Sequence, residues 1–187
     1  MSIFSSNKLK GKRIAIVATD GFEQVELTEP QKYLKGEGAE VDIISLKAGA
    51  IKGWDKTDWG DKVDVDKVID DVHVGQYDAL VLPGGQINPD KLRLEPKVVN
   101  FVREFMQSGK MVAAICHGPW TLIEADQVRG KNMTSWPSLK TDLRNAGAQW
   151  QDSEVVVDGN LITSRKPEDL AAFNKKIEEK LLAGSAS

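Results

Sequence analysis

The sequence contains one cysteine, Cys116, and only two histidines, His73 and His117. A single cysteine cannot form a disulfide within the chain, so a disulfide scaffold is excluded. No cysteine and histidine pairs have the spacing of metal ligands, and Gly36-Glu-Gly38 is typical of a helix end rather than of a phosphate-binding loop. We therefore expect no metal and no cofactor.

The chain also lacks a strong charge of one sign and a long apolar segment. Its net charge is −3, with acidic and basic residues interspersed, which argues against nucleic acid or a membrane surface as a partner. The N-terminal segment is not apolar enough for a signal peptide, which predicts a cytoplasmic location. The length of 187 residues fits one domain, which we place at 9–182, with tails at 1–8 and 183–187.

Short apolar segments alternate with amphipathic ones, a pattern that predicts an α/β fold with a mostly parallel sheet. Strands are expected at 13–18, 41–46, 79–82, 111–115, 154–158 and 161–164, and helices at 30–37, 97–107, 119–127, 138–146 and 167–182. The segment 51–68 interrupts this alternation and is predicted to form a hairpin.

Cys116 follows the apolar strand Met111-Val-Ala-Ala-Ile115 and precedes Gly118-Pro119, a pair that predicts a sharp turn into a helix. A strand-to-helix turn exposes a nucleophile at the carboxyl end of a parallel sheet. The N-terminus of the following helix favours the thiolate, so the sequence predicts a lowered pKa for Cys116.

Two further loops follow predicted strands and are expected at the same edge of the sheet. In the loop Pro83-Gly84-Gly85, the backbone amides can approach a reacting centre, and the amide of His117 is a second donor for an oxyanion hole. A plain turn is the alternative for the glycine pair. The loop after the first strand contains Glu23.

Glu23 lies beside Phe22, and apolar surroundings raise the pKa of a carboxyl group. A protonated Glu23 could then donate a hydrogen bond to the Cys116 sulfur; alternatively, its charge caps the following helix. His117 is a candidate general base if the turn brings its ring to the sulfur, and a structural residue if not. His73 is expected at the surface.

These motifs together resemble a known family. Three segments are similar to motifs of the PfpI family in the ThiJ/PfpI superfamily: Ala114-Ile-Cys-His-Gly-Pro119, Asp78-Ala-Leu-Val-Leu-Pro-Gly-Gly85 and Asp20-Gly-Phe-Glu-Gln-Val-Glu-Leu27. The resemblance extends from Arg13 to about Leu181. It implies a flavodoxin-like, three-layer α/β/α sandwich of the class I glutamine amidotransferase type.

The resemblance also implies roles for individual residues. Cys116 matches the nucleophile, Glu23 the carboxyl group that contacts the thiolate, and Gly85 with His117 the oxyanion amides. In PfpI-type proteases an acidic residue from a neighbouring subunit completes the site, and Asp90 occupies that position here, in a loop one residue longer. A homodimer or a higher homo-oligomer is therefore expected.

Three functions remain open at this point. The first is a cysteine-dependent stress-response enzyme that acts on reactive carbonyls, as a deglycase or a glutathione-independent glyoxalase. The second is an intracellular cysteine peptidase, and the third is a non-catalytic, redox-sensing or chaperone-like stress protein. The first two share the attack of a thiolate on a carbonyl carbon, so the expected substrates are small reactive carbonyls, glycated groups or peptides.

Overall fold

The computed structural model describes residues 6–184 and has a seven-stranded sheet at its centre. The strands are β1 (Arg13–Val17), β2 (Phe22–Glu23), β3 (Glu40–Ser45), β4 (Ala50–Asp55), β5 (Asp58–Asp64), β6 (Lys67–Val68), β7 (Ala79–Leu82), β8 (Met111–Ile115), β9 (Asn132–Met133), β10 (Gln149–Trp150), β11 (Val156–Asp158) and β12 (Leu161–Ser164). The α-helices are α1 (Gln24–Gly36), α2 (Ile87–Leu92), α3 (Pro96–Gln107), α4 (Pro119–Glu124), α5 (Lys140–Asn145) and α6 (Leu170–Gly184).

The strand order in the central sheet is β11-β12-β8-β7-β1-β3-β6. Every pair is parallel except β11 with β12 at one edge. Because β1, β7 and β8 lie at the centre, their carboxyl ends converge, and the three loops that follow them meet at one edge of the sheet. The mostly parallel sheet predicted from the sequence is confirmed.

Helices cover both faces of this sheet and form two separate hydrophobic clusters. Leu27 and Leu34 of α1 pack with Phe173 and Ile177 of α6 on one face. On the other face, α3 contributes the fully buried side chain of Phe105 to a second cluster, which also includes residues of α2, α4 and α5. The molecule is thus the three-layer α/β/α sandwich that the family resemblance implied.

Helix α1 begins at Gln24, six residues before the predicted start. The prediction treated Pro30 as the first residue of a helix, whereas this proline lies within α1 and is buried there. Proline inside a helix removes one backbone hydrogen bond, but packing of an amphipathic face can outweigh that cost. The difference matters because it places Glu26 within the helix.

The predicted hairpin is present as β4 and β5, and β2 pairs with β4 to make a small three-stranded sheet. At the chain ends, α6 continues to Gly184, so the predicted tail at 183–187 overlaps this helix. Residues 1–5 and 185–187 lie outside the described residues. Between residues 6 and 184, no helix combines the length and the apolar character needed to cross a membrane.

We expect Phe173→Ala to destabilise the fold by ~3–5 kcal/mol, because Phe173 is fully buried between α6 and the sheet. Leu94→Ala is the control, since Leu94 is 77% exposed, and should change stability by less than about 0.5 kcal/mol. Urea unfolding followed by circular dichroism measures both. Equal midpoints for the two variants would show that the α6 layer is not part of the cooperative core.

Candidate active site

Cys116 occupies a sharp turn between β8 and α4. Its backbone has a positive φ of 62°, a conformation that non-glycine residues adopt rarely. Its N–H donates to the carbonyl of Ser164 at 3.0 Å, and its carbonyl accepts the N–H of Trp136 at 2.9 Å. Strain of this kind costs ~1–3 kcal/mol and is typical of functional sites. The structure therefore confirms the sharp strand-to-helix turn.

The glycine pair that follows β7 lies against this turn. A Cβ atom at Gly84 would lie 2.6 Å from Cβ of Cys116, and one at Gly85 would lie 2.5 Å from the carbonyl oxygen of Gly21. Gly85 also has a positive φ of 82°. Only glycine fits at either position, so the pair is more than a plain turn.

Asn88 fixes the glycine loop, a role that the sequence did not predict. This fully buried side chain accepts a hydrogen bond from the backbone of Thr19 at 2.8 Å. Its amide nitrogen donates to the carbonyls of Pro83 and Gly84 at 3.1 and 3.2 Å. Asn88 therefore ties the loop after β1 to the loop after β7.

The thiol of Cys116 is buried, with 6% of the residue exposed. Burial raises the pKa of the Cys116 thiol, and a negative charge on Glu26 would raise this pKa further. The backbone N–H groups of Gly85 and His117 donate to the sulfur and lower the thiol pKa. This direction is opposite to the lowered pKa predicted from the turn, because loss of solvation exceeds the effect of the local donors. The two predicted amides do face the sulfur.

The carboxyl group that contacts the thiol belongs to Glu26 and not to Glu23. The Glu26 side chain is fully buried, interacts with Cys116 and accepts the N–H of Gly84 at 3.0 Å. Glu23 is half-buried and accepts the backbone N–H of Lys56 at 3.2 Å. The predicted contact between Glu23 and the sulfur is therefore corrected to Glu26, one helical turn further along the chain.

The structure explains this error. Glu26, Pro30 and Leu34 are spaced four residues apart in α1 and are all buried, so they lie on the helix face that points to the sheet. A helix that begins at Pro30 does not include Glu26. The four-residue spacing was the sequence signal that could have identified it.

Burial raises the pKa of Glu26 to about 8, so this carboxyl group is protonated at neutral pH. Because it contacts the thiol, the two groups lose their protons as a coupled pair. Two backbone amides donate to the sulfur, whereas a single one donates to Glu26. Burial outweighs these donors, so both groups keep their protons at neutral pH. We propose that the first proton the pair loses is that of the thiol, because two amides and not one then stabilise the charge.

His117 lies beside the thiol because of the same turn. Its Nδ1 atom is 3.1 Å from Sγ of Cys116, and its ring stacks on Trp136 with 5.9 Å between centroids. Burial lowers the pKa of His117 to about 4, so the ring is neutral at physiological pH and can accept a proton. Its Nε2 atom is buried and has no partner among the described residues. His73 is exposed, as predicted.

Asp90 lies apart from these groups within the chain. It is exposed on α2, and it is not part of the wall of the cavity that contains Cys116. The helix turns this side chain outward, while the preceding residues Asn88 and Pro89 are buried. Among the described residues, no hydrogen bond or ion pair joins Asp90 to a histidine.

Cys116 opens into a cavity of about 580 Å³ at the carboxyl ends of the central strands. Its wall contains the residues Gly21, Glu23, Glu26, Trp54, Lys56, Gly85, Gln86, Ile87, Cys116, His117, Trp136, Pro167 and Glu168. Among residues 6–184, no three histidine, cysteine or acidic side chains are close enough together to hold a metal ion.

A thiol on a strand-to-helix turn, two facing amides and a buried carboxyl group, on a three-layer sandwich, define a cysteine hydrolase of the PfpI type. The model of the DJ-1/PfpI family matches residues 12–180, and the chain belongs to this family.

Individual relatives agree with this assignment. The chain is 46% identical to protein/nucleic acid deglycase 2 of Escherichia coli over 170 residues, which is 88% of this chain and 95% of the relative. It is 45% identical over 166 residues to YraA of Bacillus subtilis, whose name marks it as a candidate cysteine protease, with coverage of 88% and 95%. The crystal structure of Drosophila melanogaster DJ-1beta aligns with a TM-score of 0.84 at 31% identity and covers 91% of this chain and 90% of its own.

We expect Glu26→Gln to leave the thiol pKa near its wild-type value, because glutamine keeps a donor beside the sulfur. Glu26→Leu removes that donor and should raise the pKa by more than about one unit. Iodoacetamide labelling of the single cysteine at a series of pH values measures this pKa. The matched control is Glu29→Gln, an exposed residue of α1. A large fall of the pKa in Glu26→Gln would show that the carboxyl group ionises before the thiol.

Proposed function

We propose that this protein is a deglycase or glyoxalase-like enzyme that converts reactive carbonyls, or their adducts with amines and thiols, through Cys116. The observation that carries the proposal is the fully buried Glu26 carboxyl group, whose pKa is raised by burial, beside a thiol that two backbone amides face. The name of the Escherichia coli relative, a protein and nucleic acid deglycase, supports the same substrate class. A cytoplasmic location is part of this proposal, because a catalytic thiol must stay reduced.

In the first step the Cys116 thiol transfers its proton to the neutral Nδ1 atom of His117, and the sulfur adds to an aldehyde carbon. A carbon–sulfur bond forms, and the electron pair of the carbonyl π bond moves to the oxygen. The amides of Gly85 and His117 face the sulfur and can stabilise the negative oxygen that forms beside it. Glu26 then donates its proton to that oxygen, which gives a neutral hemithioacetal and a carboxylate.

In a 2-oxoaldehyde adduct the next step is a proton transfer between neighbouring carbons. The Glu26 carboxylate removes the proton from the carbon bound to sulfur, and the same proton returns to the adjacent carbon through an enediol. The product is a thioester of a 2-hydroxy acid. Water hydrolyses the thioester and releases the acid and the thiol, so the balance is one aldehyde and one water to one hydroxy acid.

An adduct on an amine first undergoes a displacement of the amine by sulfur and then follows the same route as the aldehyde adduct. The sulfur replaces the nitrogen at the carbinol carbon, the carbon–nitrogen bond breaks, and the departing amine takes a proton from Glu26. His117 can accept the thiol proton in this step, because its Nδ1 atom lies 3.1 Å from the sulfur and the ring is neutral. The hydroxy acid is released as before.

The same contact of His117 with Cys116 supports peptide hydrolysis as the second candidate function, since a cysteine and histidine pair is the usual device of cysteine peptidases. The name of the Bacillus subtilis relative agrees with it. A redox sensor is the third candidate, because a nearly buried thiol beside a carboxyl group can be oxidised reversibly. A sensor needs neither the His117 contact nor the oxyanion amides.

Purified protein should convert methylglyoxal to the hydroxy acid without added metal, nucleotide or glutathione. We expect no turnover by Cys116→Ala and a loss of ~100-fold or more in Glu26→Gln, which cannot transfer a proton. Enzymatic measurement of lactate detects the product, and Glu29→Gln again serves as the matched control. Cleavage of a fluorogenic peptide with no loss of methylglyoxal would replace this proposal by the peptidase.

The homo-oligomer expected from the sequence remains part of the proposal. His117 Nε2 is buried without a partner among the described residues, while Asp90 is exposed on α2. We propose that a second copy of the chain brings its Asp90 to this nitrogen. A carboxylate there would fix the ring with Nδ1 free to accept the thiol proton.

Sedimentation velocity should therefore give a mass above that of one chain. Asp90→Asn should lower turnover by ~10-fold or more, because the imidazole loses its orienting charge. Asp64→Asn, an exposed acid on β5, is the control. A monomer with full activity would contradict any role of Asp90 in the reaction.

A further inference from the structure

The mouth of the Cys116 cavity has more negative than positive side chains. Glu23 and Glu168 belong to its wall, and Asp55 lies close enough to raise the pKa of Glu23. Lys56 is the positive side chain in the cavity wall. A cleft lined mainly by one sign of charge increases the local concentration of ligands with the opposite sign.

Two tryptophan side chains form aromatic surfaces in the same cavity. Trp136 is 38% exposed and stacks on His117. Trp54 contacts Trp59 edge to face at 5.4 Å, which restrains its ring. The face of an indole ring attracts cations within about 6 Å. The aromatic surfaces and the carboxylates therefore favour the same kind of ligand.

The floor of the cavity has two polar atoms without a hydrogen-bond partner in the described part of the chain. These are Nε2 of His117 and Oε2 of Glu26, and both residues are more than nine-tenths buried. Glu26 interacts with the thiol, but its Oε2 atom has no hydrogen-bond partner among the described residues. The proposed Asp90 of a second copy would satisfy Nε2 of His117, so Oε2 of Glu26 is the buried polar atom that indicates a polar ligand at the site.

Several hydrogen bonds hold the hairpin that carries Trp54 and Lys56 against the residues that follow β1. The backbone N–H of Lys52 donates to Asp20, that of Lys56 to Glu23, and that of Asp61 to Gln24. Glu23 thus has two effects, since it positions the tip of the hairpin and contributes charge at the mouth. This gives a role to the residue that the sequence wrongly placed at the sulfur.

We infer that the cavity selects glycation adducts whose amine carries a positive charge, such as arginine or lysine side chains of peptides, over adducts of anionic compounds such as nucleotides. The inference rests on the proposed function for its chemistry, but the selectivity comes from the mouth of the cavity. The guanidinium or ammonium group would lie between the tryptophan faces and the carboxylates of Glu23 and Glu168, with the adduct carbon at the sulfur.

Charge selectivity can be measured without any turnover. Cys116 is the one cysteine of the chain, so its labelling rates by a cationic (trimethylammonioethyl) and an anionic (sulfonatoethyl) methanethiosulfonate can be compared directly. Relative to the ratio of the two rates for 2-mercaptoethanol, we expect a preference of ~10-fold for the cation at low salt, which decreases as salt is added. Equal normalised rates, or a preference for the anion, would overturn the inference.

Variants assign the preference to particular residues. Glu23→Gln and Glu168→Gln should each lower the ratio by ~2–3-fold, and Lys56→Gln should raise it. Asp64→Asn removes one exposed carboxylate from the same hairpin but outside the cavity wall, and should leave the ratio unchanged. If Asp64→Asn lowers it as much as Glu23→Gln, the net charge of the protein and not the cavity explains the preference.

A second experiment measures turnover of two methylglyoxal adducts, one of N-acetylarginine amide and one of guanosine monophosphate, with free methylglyoxal as the reference. We expect kcat/KM for the cationic adduct to exceed that for the nucleotide adduct by ~10-fold or more, and Glu23→Gln to reduce this difference. Turnover of both adducts at equal rates would refute the selectivity while leaving the proposed function intact. Absence of all turnover would refute the proposed function, and the labelling ratio would then still decide on charge selection.

Discussion

The approach of the loop after β7 to the turn at Cys116 is the constraint on which the site depends. A side chain at Gly84 would lie 2.6 Å from Cβ of Cys116 and 2.5 Å from Oε1 of Glu26, so both contacts require a glycine there. This approach lets the Gly84 N–H reach Glu26 and the Gly85 N–H reach the sulfur. The positive φ of Cys116 then directs the thiol towards these donors.

Burial of a thiol and a carboxyl group together would be costly if both were charged. The protein avoids that cost if the pair keeps one proton, and the raised pKa of Glu26 agrees with this. The pair can then carry one negative charge, stabilised by two amides at the sulfur. The proton on Glu26 is also the proton that the developing oxygen of a substrate needs, so the resting state already contains the acid for the first step.

Residues whose role depends on local pattern were predictable from the sequence. An apolar run predicts the strand before Cys116, and a regular spacing of apolar residues predicts the helix at 97–107. The glycine pair is visible as a dipeptide directly after a predicted strand. The structure contains all three features. Local pattern was also enough to predict that the amides of Gly85 and His117 face the sulfur, because the loops after central parallel strands converge.

Residues whose role depends on packing over long sequence distances were not predictable in this way. Glu26 was missed because Pro30 suggested a helix start, whereas contacts of α1 with the sheet extend the helix to Gln24. Asn88 looks like an ordinary loop residue until its contacts with Thr19 and Gly84 are known. The pKa of Cys116 was misjudged because the sequence indicates a nearby helix N-terminus but not the degree of burial.

The central claim is that Glu26 holds the proton while Cys116 carries the charge. Infrared difference spectroscopy of the wild type against Cys116→Ser and Glu26→Gln tests it directly, since the chain has one cysteine and its S–H band is therefore unambiguous. At a pH just above the first proton loss of the pair, we expect a protonated carboxyl band that disappears in Glu26→Gln, and no S–H band. An S–H band together with an ionised Glu26 carboxylate would contradict it.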